Sequence, residues 1–234
     1  MAKKHLNKKE LVHPCLLIKY SDQNKPDKAT KKKLVEAVKL SAEIMRATVW
    51  KMDRVVFFQR PETYLTDIVT EHFHLGQPGE TKFQRLRYLN KIRACMLSTS
   101  FHINTGMYLL DIDGGNRKTM GGSPLSAQDV IDMPYIEGYV STRKALFLEL
   151  AGPVHVAFDL AKQYSSRGLA RLIIHEATHS YWHTDDVFYG HEGGYATMTP
   201  DESVRNADSF AYAALSIHAK QVQTWATLDA NGDH

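Results

Sequence analysis

His175 and His179 stand four residues apart, and Glu176 directly follows the first of them. On an α-helix, residues i and i+4 lie one above the other on one face, so both imidazoles can reach a single metal ion. Glu176 is rotated off that line and can touch a water at the metal without ligating it. A catalytic zinc takes three protein ligands and leaves a fourth position for water. The metal lowers the pKa of that water towards about 7, and a neighbouring carboxylate takes its proton. The pentapeptide His175-Glu176-Ala177-Thr178-His179 therefore offers two ligands and a base but lacks a third ligand. Twelve His in 234 residues make a chance pair easier, so the surrounding chain has to decide.

A third ligand requires the helix to end soon after His179 and the chain to turn back. The stretch His183-Thr184-Asp185-Asp186-Val187-Phe188-Tyr189-Gly190 is placed to do this. Asp186 is the expected ligand and Asp185 its rival. Tyr189, one turn further on, can bring its hydroxyl near a scissile carbonyl and stabilise the oxyanion as it forms. His183 reads as a helix-end residue, because His175 and His183 would be about 12 Å apart along a straight helix. His191 and Glu192 are rim residues in this reading.

The helix carrying the pair can be capped by Ser165 or Ser166. Leu169, Leu172, Ile173, Ile174, Ala177, Tyr181 and Trp182 cover most of its circumference, which predicts burial. A buried helix bearing two His and a Glu must satisfy those groups, and zinc would do so.

The rest of the chain must position this helix. Residues 1–26 are polar and basic, with breakers at Pro14 and Pro26, and read as a basic N-terminal arm or short strand plus linker. A single catalytic domain is expected over 27–234, with a helical half over 27–104 and a motif-bearing half over 105–234. Leu34, Val35, Val38, Ile44, Met45 and Val49 recur at helical spacing up to a break at Pro61. A second helix should run from Thr63 to about Phe73 and close at Gly76 and Pro78. A third, over 79–99, has Phe83, Leu86, Tyr88, Leu89, Ile92 and Met96 as its apolar side. His72, His74 and His102 lack partners at ligand spacing and read as polar helix-edge residues. Met107–Ile112 and Ala145–Leu150 read as strands, and a final helix runs from Ser203 or Asn206 to Leu228. The Asp111-Ile112-Asp113-Gly114 start of a calcium loop lacks the later carboxylates.

A hydrophobic content of 43% with 24% charged residues suits a globular domain with a sizeable core. Net charge is only +3, and much of the basic excess lies in the first 35 residues, where a solvated helix face is the reading preferred to a nucleic-acid contact. No window is long enough to span a membrane. Cys15 and Cys95 read as two free thiols, and no Cys pair stands at zinc-ligand spacing. The positive N-terminus lacks the apolar stretch of a cleavable signal peptide. That predicts a chain that is cytoplasmic as made.

At His175–His179 and His183–Gly190 the sequence resembles the deuterolysin and peptidyl-Lys metalloendopeptidase group, the aspzincins. The second signature of that group, Gly-Thr-x-Asp-x-x-Tyr-Gly, is matched at all but its first position, where His183 stands. An Asn-Ala-Asp stretch downstream is matched by Asn206-Ala207-Asp208. The resemblance covers about residues 145–215. It implies an α+β, mainly helical, zincin-like metallopeptidase with a small β-sheet beside the active-site helix. It also implies a zinc endopeptidase acting on protein or peptide substrates, with His175, His179 and Asp186 as ligands, Glu176 as base and Tyr189 as proton donor.

Two departures shape what else follows. The connection from His179 to Asp186 is about two residues shorter than the family's. In the Lys-specific members, the Asp of Asn-Ala-Asp and a Glu three residues later line a pocket for the substrate Lys; here Asp208 is present but Ala211 takes the second place. Asp208 thus has three readings: substrate binding in a Lys pocket, support of a zinc His, or helix N-cap.

Without signal peptide or disulfides, the chain looks more like the bacterial effector or toxin members. For those, export by a specialised system and a delivery apparatus or cognate inhibitor as partner are expected. The competing readings are an intracellular zinc peptidase recruited to nucleic acid by the basic arm, and a binding module with zinc kept only for structure.

Overall fold

Leu16, Ile18 and Tyr20 alternate with Leu17 and Lys19, the period-2 pattern of a strand that buries one side more deeply. They form strand β2 (Leu16–Tyr20), which pairs antiparallel with β1 (Lys8–His13). The computed structural model describes residues 8–58, 62–112, 119–120, 123–124, 138–140, 154–159 and 161–230. Of the arm and the short strand expected over residues 1–26, residues 8–20 take the strand form and are built into the central sheet. Glu10 fixes this hairpin to the first helix. It accepts from Lys31 Nζ at 2.7 Å and from the Tyr20 hydroxyl at 2.9 Å.

β2 runs parallel to β3 (Met107–Asp111), and β3 runs parallel to β7 (Val154–Val156). Two-residue strands β4 (Thr119–Met120) and β5 (Ser123–Pro124) pair with each other, and β6 (Gly138–Val140) lies antiparallel on β7. The main sheet thus has the order β1-β2-β3-β7-β6. The strand expected over 145–150 lies outside the described residues.

Helix α1 (Lys28–Phe58) packs on α3 (Lys82–Thr105) and on α4 (Ser166–Trp182). Ser41 on α1 donates to the Ala170 carbonyl of α4 at 3.2 Å, so the two helices touch through a small residue. Helix α2 (Thr63–Phe73) has Glu62 as its N-cap and ends on His74 in a left-handed conformation, two residues before Gly76. A capping box of Thr81 and Gln84 starts α3, which outlasts the expected 79–99 and stops at Gly106. Its burial also corrects the expected apolar side. Tyr88, Ile92 and Met96 are buried, whereas Phe83 and Leu86 face solvent.

The expected last helix is in fact three pieces: α5 (Pro200–Ser203), α6 (Ala207–Ala219) and α7 (Trp225–Ala230). Lys220, in a left-handed conformation, ends α6, and Ser216 Oγ then accepts the Gln223 N–H at 2.8 Å to stabilise the break. The molecule is mixed α+β and mainly helical, with the sheet beside α4, as expected from the sequence. Cys15 and Cys95 are free thiols. No helix among the described residues is long and apolar enough to cross a membrane.

Candidate metal centre

Ser165 caps α4 by accepting the Gly168 N–H at 2.9 Å, one of the donors a helix start leaves unpaired. From Gly168 to Thr178 every residue of α4 is buried, because the helix is enclosed by α1, α3, α6 and the sheet. Its end is set by His183, which adopts φ 57° and returns its N–H to the carbonyls of His179 and Thr178. The role of helix terminator expected for His183 is therefore the one observed. The chain reverses there, and Asp186 comes back over the exposed edge of the two imidazoles.

Three ligand atoms converge. His179 Nε2 lies 3.1 Å from His175 Nε2, and Asp186 Oδ1 lies 3.1 Å from the first His and 3.0 Å from the second. Two ligands of a tetrahedral zinc at about 2.0–2.1 Å would be about 3.3 Å apart, so this triangle needs to open only slightly. His175, His179 and Asp186 form the metal-capable group found among the described residues. Asp185 turns away. Its carboxylate faces Arg205 at 3.4 Å in solvent, while its backbone bridges to Asn206.

The far side of each imidazole is engaged, which fixes both rings. His175 Nδ1 donates to Asp208 Oδ1 at 2.7 Å, and His179 Nδ1 donates to the Thr184 carbonyl at 2.7 Å. With Nδ1 protonated, each Nε2 lone pair points to the shared space, the arrangement a metal-ligating His requires. Burial lowers the basicity of His175, but the charge of Asp208 and the hydrogen bonds of Asp186 and Asp208 outweigh it, so a positive charge is favoured there. Asp186 is held well below the carboxylate range, since its bonds to His175 and His179 overcome desolvation. The donor set and its charge both fit a divalent cation.

Glu176 is buried, and its Oε2 meets no hydrogen-bond partner among the described residues. Desolvation pushes its pKa up to about 7 despite the opposing pull of His175 and His179. A buried carboxylate left open in this way is costly, and a bound water is the natural partner. Tyr189 stacks at 6.2 Å on His175 and is half-exposed. Desolvation, then the charges of Asp186, Glu176 and Asp208, keep its phenol protonated.

Asp208 is buried, and both of its oxygens are taken by the protein. Oδ1 accepts from His175 and, at 3.1 Å, from Arg171; Oδ2 accepts the Gly190 N–H at 2.7 Å. Of its three readings, the hydrogen bond to His175 matches support of a candidate metal ligand. The N-cap of α6 is Asn206.

Four residues of the site carry roles that the sequence does not assign. Arg171 is one turn before His175 and was legible as a lone cation in an apolar stripe, which needs a buried partner. Asn206 Oδ1 accepts the Val187 and Phe188 N–H groups at 3.0 and 3.2 Å and so shapes the turn that returns Asp186. Thr178 and Thr184 join their hydroxyls at 2.9 Å across the same turn. The loop beyond is held by Glu192, which accepts the Tyr189 N–H at 2.7 Å, while His191 stacks on Tyr189 and meets the Trp225 ring at a tilt.

Two His and an Asp thus converge on one point beside the buried Glu176, an arrangement that could hold a metal ion. Residues 153–214 match the model of the lysine-specific metallo-endopeptidase family, about a quarter of the chain and the part that holds the whole site. No curated protein and no solved structure matches the chain.

Proposed function

We propose that the chain is a zinc-dependent metalloendopeptidase in which His175, His179 and Asp186 hold the metal and Glu176 is the general base. The observation that carries this reading is the buried Glu176 carboxylate, whose Oε2 has no hydrogen-bond partner among the described residues, beside three converged ligands. A purely structural zinc is closed by four protein ligands, whereas the described residues supply three, with a buried carboxylate beside them. That difference favours an enzyme over a zinc-stabilised binding module. Zinc in this position supplies a Lewis acid that polarises a carbonyl and activates water.

Glu176, with a pKa of about 7, can accept a proton from that water and return it to the departing amine. Tyr189 keeps its hydroxyl proton and can donate a hydrogen bond to the oxyanion. Asp208 acts on His175 in this reading. Asp208 is buried and already accepts from Arg171, His175 and Gly190, which leaves a substrate ammonium little access to it. No enrichment of Lys at the scissile bond is therefore expected from Asp208.

A profile of a peptide library cut by the protein, with and without a chelator, tests the proposal. Cleavage should stop on chelation and return with zinc. Glu176→Gln should lower cleavage by about 10²- to 10⁴-fold while zinc still binds. Cleavage by Glu176→Gln at the wild-type rate would remove Glu176 as base. Zinc binding with no cleavage by the wild type would leave only the structural reading.

A further inference from the structure

Helix α3 carries apolar side chains on both sides. Tyr88, Ile92, Cys95, Met96 and Ile103 enter the core. Facing outward are Phe83, Leu86, Leu97 and Phe101, which are 79%, 41%, 43% and 63% exposed. With Asn90 and Ala94 between them, these residues form one line at steps of three and four, about 27 Å long at 1.5 Å per residue. The N-terminal half of the line is one wall of a groove of about 490 Å³; the other wall is Trp182, the last residue of α4. Phe83, Leu86, Ala94 and Trp182 give it an apolar lining, and Arg87 and Lys91 border it.

We propose that this groove docks an acidic amphipathic helix of another protein. Contiguous exposed apolar surface of this kind marks contact sites rather than ordinary solvent-facing helix. A helix suits the groove for two reasons. The α3 wall has its backbone groups satisfied within its own turns, so an extended peptide finds no edge to pair with. The line at steps of three and four is the ridge pattern that receives another helix.

Charge selects the partner. The Arg87 guanidinium and the Lys91 ammonium lie 5.2 and 5.9 Å from the centre of the Tyr88 ring, which places both cations along the same border. Arg87 reaches Asp201 only at 4.0 Å, with both side chains more than half exposed, too long and too wet a pair to neutralise it. Asp or Glu residues flanking an apolar stripe at i, i+3, i+4 and i+7 would meet these cations. Single-stranded nucleic acid is a poorer fit, because two cations over an apolar floor give few phosphate contacts. Docking itself requires no metal and stands apart from the peptidase reading.

The test is fluorescence anisotropy with the full chain carrying Glu176→Gln, so that a peptide probe stays intact. The probe is a labelled amphipathic Leu/Glu helical peptide, compared with the same peptide bearing Lys for Glu. Saturable binding of the acidic peptide is expected, weakened by salt. Arg87→Glu with Lys91→Glu should weaken it by about tenfold or more, which is about 1.4 kcal/mol. Leu86→Asp should also weaken it. Should Leu86→Asp fail to fold, the exposed charge-reversed pair still decides. Equal binding of the Lys peptide, affinity unchanged by the charge reversal, or no saturable binding would overturn the proposal. So would concentration-dependent self-association through this face. Capture by anionic vesicles or an oligonucleotide with the acidic peptide excluded would overturn it as well.

Discussion

His175 and His72 are both enclosed by protein, both are served by α6, and burial disfavours the charge of each, yet the two end with opposite charge preferences. At the N-terminal end of α6, Asp208 accepts from His175 and, with Asp186 in front, favours a positive charge there. At the other end, Ser216 lies 3.0 Å from His72 Nε2, and the Tyr195 hydroxyl lies 3.0 Å from Nδ1. Both partners of His72 are uncharged, so desolvation prevails and its pKa falls to about 3. One helix thus holds a histidine whose surroundings call for a cation and another whose surroundings forbid one. What separates a ligand from a packed core group here is the carboxylate, not the depth of burial.

The sharpest way to break this contrast is Asp208→Ala. The substitution takes the acceptor from His175 and leaves the buried Arg171 guanidinium without its carboxylate. Zinc affinity measured by chelator competition should fall about 10- to 100-fold. Stability should fall by about 3–5 kcal/mol, because removing one partner of a buried ion pair costs more than the pair was worth. Asp208→Asn keeps an acceptor for Arg171 and should recover much of the stability while affinity stays low. Zinc affinity unchanged in both variants would show that His175 needs no carboxylate behind it.

A smaller effect is expected at the close approach between the metal-side loop and α6. A Cβ on Gly190 would stand 2.4 Å from Cε2 and 2.9 Å from Cζ of the Tyr212 ring. The same residue donates its N–H to Asp208. Gly190→Ala must push the loop off α6 or turn a buried ring, at a cost of about 1–3 kcal/mol in a denaturant melt. Zinc affinity should fall with it, since the loop carries Asp208's third donor. Wild-type stability for this variant would show that the ring yields freely.

Much of this site was legible because its parts are close in sequence and their chemistry is periodic. His175, Glu176 and His179 are fixed by helical spacing alone, and Asp186 follows from the need for a turn. The choice between Asp186 and Asp185 was not legible. It depends on a backbone bridge between Asp185 and Asn206, twenty-one residues apart in the chain. Arg171 and Asp208 were separated in the same way and met only through the packing of α4 on α6. The face of α3 was misread for a different reason. Phe83 and Leu86 extend an apolar pattern at helical spacing, and a pattern cannot say whether a second face has a partner. His72 was read as a helix-edge residue for want of a ligand at ligand spacing. Its real partners, Tyr195 and Ser216, lie more than a hundred residues away.

The most selective test concerns the pH response of His72. Its folded pKa, about 3, lies below the ordinary histidine value of 6.5. Between those two values the unfolded chain binds the proton and the folded chain does not. Stability therefore rises with pH across this window, and acidification from about 6.5 towards 3 should remove it by up to about 1.4 kcal/mol per pH unit for this group. Above about 6.5 neither state carries the proton and the contribution is flat. Other groups titrate in the same range, His155 among them with a pKa of about 4, and the metal ligands add their own dependence. The comparison to make is therefore between wild type and His72→Gln in matched denaturant melts. The variant should be less stable near neutral pH, where it disturbs Tyr195 and Ser216, and should lose less on acidification. The gap between the two proteins should narrow steadily from about pH 6.5 downwards. A gap that stays constant would mean that His72 takes up its proton as readily in the fold as in the unfolded chain, and the contrast across α6 would then fail at that end.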